Sequence, residues 1–554
     1  MIYLKDLKDK SKIIEDFFKW ALDKDSVPLS SEIDLTLAQE YMDPNIYYTK
    51  EIAELFQTKA MKRLGRVAQL GLAVSDNPNN YHNRLDHSKG TYNRKLEELI
   101  YLTSNQEYRK YIEDNNLKLY LIAELIKEAT HDIGHLPLSH VMEIKVVGRR
   151  EFHEDIGKRI VLEDEEIGDV LKNINPNLRR VIETIYRYDT LNMEAHDEGN
   201  YDVDRMDYVL RDSTYNGDRV QEYNNEQYRK LYVCIDDEGN ILKNSDGSLQ
   251  ITNKDDMSSK EIDVYENDSL KHIEDFLKRR EKLYERIYFS KPTQVRDSLA
   301  GDLGKFILNG KTGNEAIELR KFLESIKKKD IHIDLKEYLG WDDIKFYNNC
   351  LDIAENCVDK NMRDVALMTI PTLNSLLNLV YSHLDLKREG AKGYASLSDE
   401  DKMFVRRIKQ MITKNTDEAR KLRNNKFYFN NRLICTDDRR IEELRKKFGD
   451  KIEYSSACIT SYKSNMPIYI KDKSGKVYTL HEHPERTVDW ENRNQRLNVA
   501  FATIPQLKLQ GCSMEEISAI KSAFGECIPE RMAGTDINMT ICRAENNIED
   551  YFDI

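Results

Sequence analysis

From Leu117 to Thr130 the chain reads LKLYLIAELIKEAT, with Leu117, Leu121, Leu125 and Ala129 at four-residue intervals and Ile122 and Ile126 beside them. That spacing makes one broad apolar face on a helix, and such a face is stable only when other elements cover it. The next residues are HDIGHLPLSH, so proton-binding side chains gather where an apolar core helix ends. Similar periodicity recurs around 50–72, 176–188, 201–212, 270–291, 341–356, 363–384 and 400–422. A mainly α fold is expected.

Strand patterns are few. Leu231–Ile235, the turn DDEGN and Ile241–Leu242 read as a hairpin, and 243–260, rich in Asn, Asp, Ser and Lys, as a surface excursion. Character changes near 426, where FYFNNRLICT, a helix at Arg439–Phe448, IEYSSACITSY, PIYI, the turn KDKSGK and VYTL follow in order. Together they point to a small α+β lobe at 426–490. Ser513 and Glu516 form a capping box that opens a short helix ending near Gly525. The expected layout is an N-terminal helical extension at 1–42, a core at 43–325, a helical region at 326–425, the lobe, and a tail at 491–554.

Composition narrows the function. The 554 residues carry a net charge of −13, which disfavours general binding to a nucleic-acid backbone and leaves room for a small anion in a local basic pocket. The eight cysteines include no CxxC and read as reduced thiols of a cytoplasmic protein. The N-terminus lacks the apolar segment of a signal peptide, and no apolar run approaches the ~20 residues that span a bilayer.

Of 12 histidines, six (His82, His87, His131, His135, His140 and His153) fall in one stretch. Neutral imidazole and carboxylate are ligands for Zn, Mn, Fe or Mg. Adjacent His131 and Asp132 point about 100° apart on a helix, so one ion can use both only if further ligands arrive from elsewhere. His87 and Asp204 are suitable donors. A zincin reading of His131 and His135 fails, because Asp132 replaces the general-base Glu of HExxH and Gly134 and Pro137 break the helix. His196-Asp197, in EAHDEGN, reads as solvated loop, and His481 and His483, in HEHPE, as surface residues after a strand. Two stripes suit a polyanion: Asp204, Tyr208 and Asp212, flanked by Arg205 and Arg211, and Arg280, Tyr284 and Tyr288, which Lys291 extends by a turn.

At these residues the sequence resembles the HD-domain deoxynucleoside triphosphate triphosphohydrolases, the dGTPase-like branch of the HD superfamily, and most of all its SAM-and-HD-domain type. The traces are MKRLGRVAQLG (61–71), HNRLDHSKG (82–90), HDIGHLPLSH (131–140), His153-Glu154, YDVDRMDYVLRD (201–212) and RREKLYERIYFSK (279–291). The resemblance implies an HD-domain helical core with a small α+β C-terminal lobe. It also implies a divalent metal (Mn, Fe, Zn or Mg) held by His87, His131, Asp132 and Asp204. By the same resemblance His135, His140, Glu143 and His153 surround the scissile phosphate. Arg84, Arg205, Tyr208, Asp212, Arg280 and Lys291 hold triphosphate or sugar, and Gln69, Leu70 and Tyr288 contact the deoxyribose. The implied reaction is hydrolysis at the α-phosphorus to deoxynucleoside and triphosphate, with dGTP a candidate substrate, in a homo-oligomeric dimer or tetramer.

The chain departs from the pattern in places. Arg205 replaces a Lys, Phe289 and Ser290 replace polar residues that help read the substrate, and Pro292 is expected to kink or stop a helix that runs on in relatives. Gly65 stands where nucleotide-activated members carry an arginine, with Gln57 and Lys62 also different, and no SAM-like segment is evident. Two alternatives stay open: another HD phosphohydrolase or phosphodiesterase acting on a different nucleotide, and a catalytically silent nucleotide sensor.

Overall fold

A computed structural model describes residues 10–34, 45–75, 82–149, 151–188, 201–218, 230–251, 260–327, 333–371, 376–377, 380, 397–413, 420, 432–460, 467–490 and 494–525. His196 and Asp197 lie outside the described residues. The described chain is mainly helical and divides into two compact units, 1–424 with 458–495 and 425–457 with 496–554.

In the first unit the helix Lys118–Thr130 is the central rod. Leu121, Ile122, Ala123, Leu125, Ile126 and Ala129 are all buried, and the helix packs against Lys10–Leu22, Arg84–Thr103 and Leu178–Tyr188. Burying each Leu or Ile contributes about 1.5–3 kcal/mol, so this one face fixes much of the core. Near its C-terminal end Arg84–Thr103, capped by Asn83, is joined by two further helices, Phe152–Glu163 and Val203–Tyr215, the latter capped by Asp202. Two glycines let them approach closely. A Cβ at Gly90 would lie 2.0 Å from Asp207 Oδ1, and one at Gly134 1.9 Å from the His153 carbonyl oxygen.

The expected helix over 270–291 is broken. Leu270–Leu283 passes into a π-helical turn, Tyr284–Tyr288, and a new helix, Lys291–Leu308, begins with Ser290 as its cap and Pro292 in its first turn. Proline fits there because a first-turn N–H has no intrahelical acceptor to lose. Lys291 therefore starts a second helix and does not continue the Arg280 stripe.

The sheets also depart from expectation. Strand β1 (Leu29–Ile33) pairs with β2 (Asn45–Thr49). Strand β3 (Lys230–Ile235) pairs antiparallel with β4 (Lys260–Tyr265), and the expected turn back to Ile241–Leu242 is present as a short pairing, with an Ile235–Ile241 bridge and the Leu242 N–H donating to the Cys234 carbonyl at 2.9 Å. The stretch 426–490 is not one lobe. Its hairpin of β7 (Tyr469–Lys471) and β8 (Val477–Thr479) joins β4 in the sheet order β3-β4-β7-β8, whereas β5 (Arg432–Cys435) and β6 (Glu453–Thr460) flank β9 (Asn494–Thr503). The reason is core formation: Ile468, Ile470, Leu480 and Trp490 pack with Tyr265, Ile273, Phe276 and Leu277 in the first unit. Cys435, Ile441, Ala500, Ile517 and Phe524 build a separate core in the second. His483 is fully buried, not on the surface, and its ring meets Tyr478 edge-on at 5.9 Å. The Ser513–Glu516 capping box is present, with reciprocal bonds of 3.1 and 2.8 Å. Among the described residues no helix is long and apolar enough to cross a membrane.

Candidate metal centre

His87 sits in the first turn of the helix Arg84–Thr103, His131 caps the end of Lys118–Thr130, Asp132 follows it in the turn, and Asp204 opens Val203–Tyr215. These three elements bring the four side chains together. His87 Nε2 lies 3.0 Å from Asp204 Oδ1, 3.7 Å from Asp132 Oδ2 and 3.3 Å from His131 Nε2. His131 Nε2 lies 3.4 Å from Asp132 Oδ1 and 3.6 Å from Asp204 Oδ1.

The outer ring atoms decide the tautomers. His131 Nδ1 donates to the Glu128 carbonyl at 2.7 Å, and His87 Nδ1 donates to Asp207 Oδ2 at 2.9 Å. Both Nε2 atoms are left facing each other and two carboxylates. Burial alone lowers the His87 pKa, but hydrogen bonds to Asp204 and Asp207 outweigh it and raise it to about 9. Burial opposes charge on His131 as well, yet Asp132 and Asp204 bring it to about 10. Asp132 stays ionised because Arg84, His131 and His135 overcome the cost of its burial. Carboxylates that raise both imidazoles this far call for positive charge at the point where the Nε2 atoms meet. His87, His131 and Asp204 form a donor group that fits a divalent ion, and Asp132 stands beside it with its oxygens engaged by Arg84 at 2.6 Å and His135 at 3.0 Å.

A second group lies alongside. Glu143, fully buried, accepts from His140 Nδ1 at 2.9 Å, His153 Nδ1 at 2.7 Å and the His153 backbone N–H at 2.6 Å. Both histidines are thus held by one ring nitrogen, and the side chain of His140 is 57% exposed. His135 stacks on His153 at 3.9 Å and points Nε2 to Asp132 Oδ1 at 3.0 Å. Burial, with the charge of Arg84, holds it well below the usual imidazole range and therefore neutral.

Arg84 bridges the two groups, donating from Nη1 to Asp132 at 2.6 Å and from Nε to Ser139 Oγ at 2.8 Å. Tyr208 lies 6.5 Å from the His87 ring, and Tyr208, Tyr288 and Tyr284 form an edge-to-face series at 6.2 and 5.0 Å. Arg280, 4% exposed, stands over Tyr284 at 5.5 Å, and its Nε and Nη1 have no hydrogen-bond partner among the described residues. Gln69 Oε1 is likewise buried without a partner, next to buried Leu70. Arg205 folds back onto Asp202, the cap of its own helix. Asp212 has both oxygens engaged, one by His82 Nε2 at 2.6 Å and the other by the Tyr288 hydroxyl, so it holds the tyrosine in place.

Several residues here lie outside the sequence-derived set. Asp207 orients His87 and pairs with Arg211 at 2.9 Å, and Arg211 continues to Asp34 at 2.9 Å. Asp207 had a signal, since it follows Asp204 at i+3 and shares its helical face. His82 and Arg63 lay within the traces 82–90 and 61–71 without an assigned role, and Tyr338 and Asp343 had no local signal.

No family model matches the chain. It is 30% identical over 251 residues to an uncharacterised protein of Mycoplasma genitalium, covering 43% of this chain and 52% of that one. It is 31% identical over 195 residues to an HD domain-containing protein of Acanthamoeba polyphaga mimivirus, covering 30% and 41%. A deoxynucleoside triphosphate triphosphohydrolase SAMHD1 homologue of Dictyostelium discoideum is 27% identical over 180 residues, covering 30% and 34%. The chain spans about half the length of the first curated relatives it matches. Among solved structures, a phosphohydrolase of Bacteroides thetaiotaomicron superposes with a TM-score of 0.51 at 18% identity, over 86% of this chain and 99% of that one. The chain shares the mainly α fold of that phosphohydrolase. The sequence likenesses and the His-Asp cluster agree with that fold.

Proposed function

We propose that this chain is a metal-dependent HD-domain phosphohydrolase that cleaves deoxynucleoside triphosphates to deoxynucleoside and triphosphate. One observation carries the reading: a donor group of two imidazoles and one carboxylate, His87, His131 and Asp204, with Asp132 beside it, joined through Tyr208 to a buried guanidinium, Arg280, that no carboxylate neutralises among the described residues. A buried cation without an anion is costly, and a phosphate group supplies the missing charge. The mimivirus and Dictyostelium likenesses support the superfamily and the substrate class respectively.

His87, His131, Asp132 and Asp204 would hold a divalent ion, which would supply Lewis-acid activation of water and of a phosphoryl oxygen. The chain's own residues do the rest. Arg84 and Arg280 offset charge on the phosphate oxygens. His140, with Nδ1 fixed by Glu143, is the proton donor to the leaving oxygen. Tyr288, pinned by Asp212, packs against the sugar, and a stiff ring there excludes a 2′-hydroxyl by clash. The test is turnover of a panel of dNTPs and NTPs with and without Mn²⁺, with chromatography to identify triphosphate. Good dNTP turnover with weak NTP turnover is expected. Equal rates for GTP and dGTP would defeat the deoxyribose reading, and release of orthophosphate would move the assignment to another HD phosphohydrolase.

A further inference from the structure

Two consecutive non-glycine residues, Leu138 (φ 61°) and Ser139 (φ 54°), adopt left-handed backbone immediately before His140. Such residues cost on the order of 1–3 kcal/mol each and persist only where surrounding contacts hold them. The holding contacts converge on one carboxylate. Asp343 Oδ1 accepts from the Leu138 N–H at 2.7 Å, and Oδ2 accepts from the Ala68 N–H at 2.9 Å. Ser139 Oγ closes the circuit, donating to the Ala68 carbonyl at 3.1 Å while accepting from Arg84 Nε at 2.8 Å. The same stretch of chain grips the turn at two more points. The Tyr338 hydroxyl donates to the Gly134 carbonyl at 2.5 Å, and Arg63 ties the His135 and Trp341 carbonyls at 2.8 and 3.1 Å.

Helix capping does not account for Asp343. The helix Asp343–Asn356 is capped by Asp342, whose carboxylate accepts from Lys345 N and pairs with Arg66. Asp343 itself is fully buried and, among the described residues, forms no ion pair with a Lys or Arg. Its charge is stabilised directly by two backbone N–H groups, one in the segment of Ser139 and His140, the other beside Gln69 and Leu70.

We propose that Asp343 is a positioning residue, whose carboxylate holds the strained Leu138–Ser139 turn so that Arg84 and His140 are correctly placed. The assignment of Arg84 and His140 to a phosphate rests on the function proposed above, but the clamp itself does not. Loss of the clamp shifts the turn, and displacements near 1 Å cost about 10²-fold in rate.

The test uses the full chain, its Asp343→Asn and Asp343→Ala variants, and Asp342→Ala as a neighbour that removes the helix cap and its pair with Arg66 but leaves the Asp343 carboxylate in place. Hydrogen exchange is followed in peptides covering 64–71 and 133–141, together with Mn²⁺ stoichiometry, kcat and KM. In the wild type the Leu138 and Ala68 amides are expected to be protected. In Asp343→Asn those two peptides exchange at least about tenfold faster. The same variant keeps its Mn²⁺ and loses about 10²-fold, in kcat rather than KM. Asp342→Ala lowers Tm with little change in kcat. Free exchange of the two amides in the wild type overturns the proposal whether or not the variants fold. So does an Asp343→Asn enzyme with wild-type kcat, or a loss of activity that tracks only loss of Mn²⁺ or of folded protein. If the wild type hydrolyses no nucleotide, the functional reading falls, and exchange then decides the clamp alone: acceleration confined to the two peptides supports it, and none overturns it.

Discussion

Two imidazole nitrogens 3.3 Å apart, each with its other ring nitrogen committed to an acceptor, repel unless positive charge lies between them. Replacing His131 and Asp132 together by Ala is therefore expected to remove both bound Mn²⁺ and hydrolysis while helical circular dichroism persists. Full activity in that double variant would falsify the metal assignment. Asp207→Asn should weaken Mn²⁺ binding about 10- to 100-fold by freeing the His87 ring, measured by titration calorimetry. His140→Ala should lower turnover about 10²- to 10⁴-fold with Mn²⁺ retained, whereas loss of Mn²⁺ would place His140 in the ligand shell. At this scale legibility followed distance along the chain. His131, Asp132, His135 and His140 lie within one short run and announced themselves, and Asp207 could have been found from its spacing to Asp204. Asp343 could not, because it reaches Leu138 across 205 positions and its neighbours in sequence form an ordinary helix start.

Elements were legible where one face is apolar and obscure where the backbone changes its geometry. The helix at Lys118–Thr130 follows its apolar stripe closely. The stripe at 270–291 conceals a π-helical turn and a new cap, because Arg280, Tyr284 and Tyr288 keep helical spacing while Ser290 ends the run. Two substitutions separate packing from site geometry. Leu125→Ala empties a fully buried position and should cost about 2–5 kcal/mol in urea unfolding, with turnover per folded molecule preserved. Gly134→Ala puts a methyl 1.9 Å from the His153 carbonyl and 2.5 Å from Gly157 N, forcing the turn after His131 away from Phe152–Glu163. Its stability loss should be about 1–3 kcal/mol, accompanied by a larger fractional loss of turnover than Leu125→Ala causes. A Gly134→Ala enzyme with normal kcat would show that the turn tolerates displacement.

Over the whole molecule, the strands beyond 426 were recognisable as strands, but not their partners. Alternation marks Tyr469–Lys471 as extended, while its parallel pairing with β4 depends on Ile468, Ile470 and Trp490 completing a core some 200 positions upstream. Long-range electrostatics were hidden for the same reason, and Asp343 offers a test of them. Burial pushes its pKa up to about 7, against the pull of the Ala68 and Leu138 N–H groups and Arg84. An unfolded aspartate titrates near about 3.9, so the folded state holds this proton to higher pH than the unfolded state does. The stabilising contribution of protonated Asp343 is thus fully present below about pH 4 and is lost as pH rises through 7. Asn cannot ionise. The unfolding free energy of the wild type relative to Asp343→Asn should therefore fall from pH 5 to pH 8, by at most about 1.4 kcal/mol per pH unit. Parallel urea titrations of the two proteins measure the difference with most other titrations cancelling. A difference that stays flat, or that moves in favour of the wild type with rising pH, would mean that Asp343 is ionised throughout and that its two backbone donors outweigh its burial.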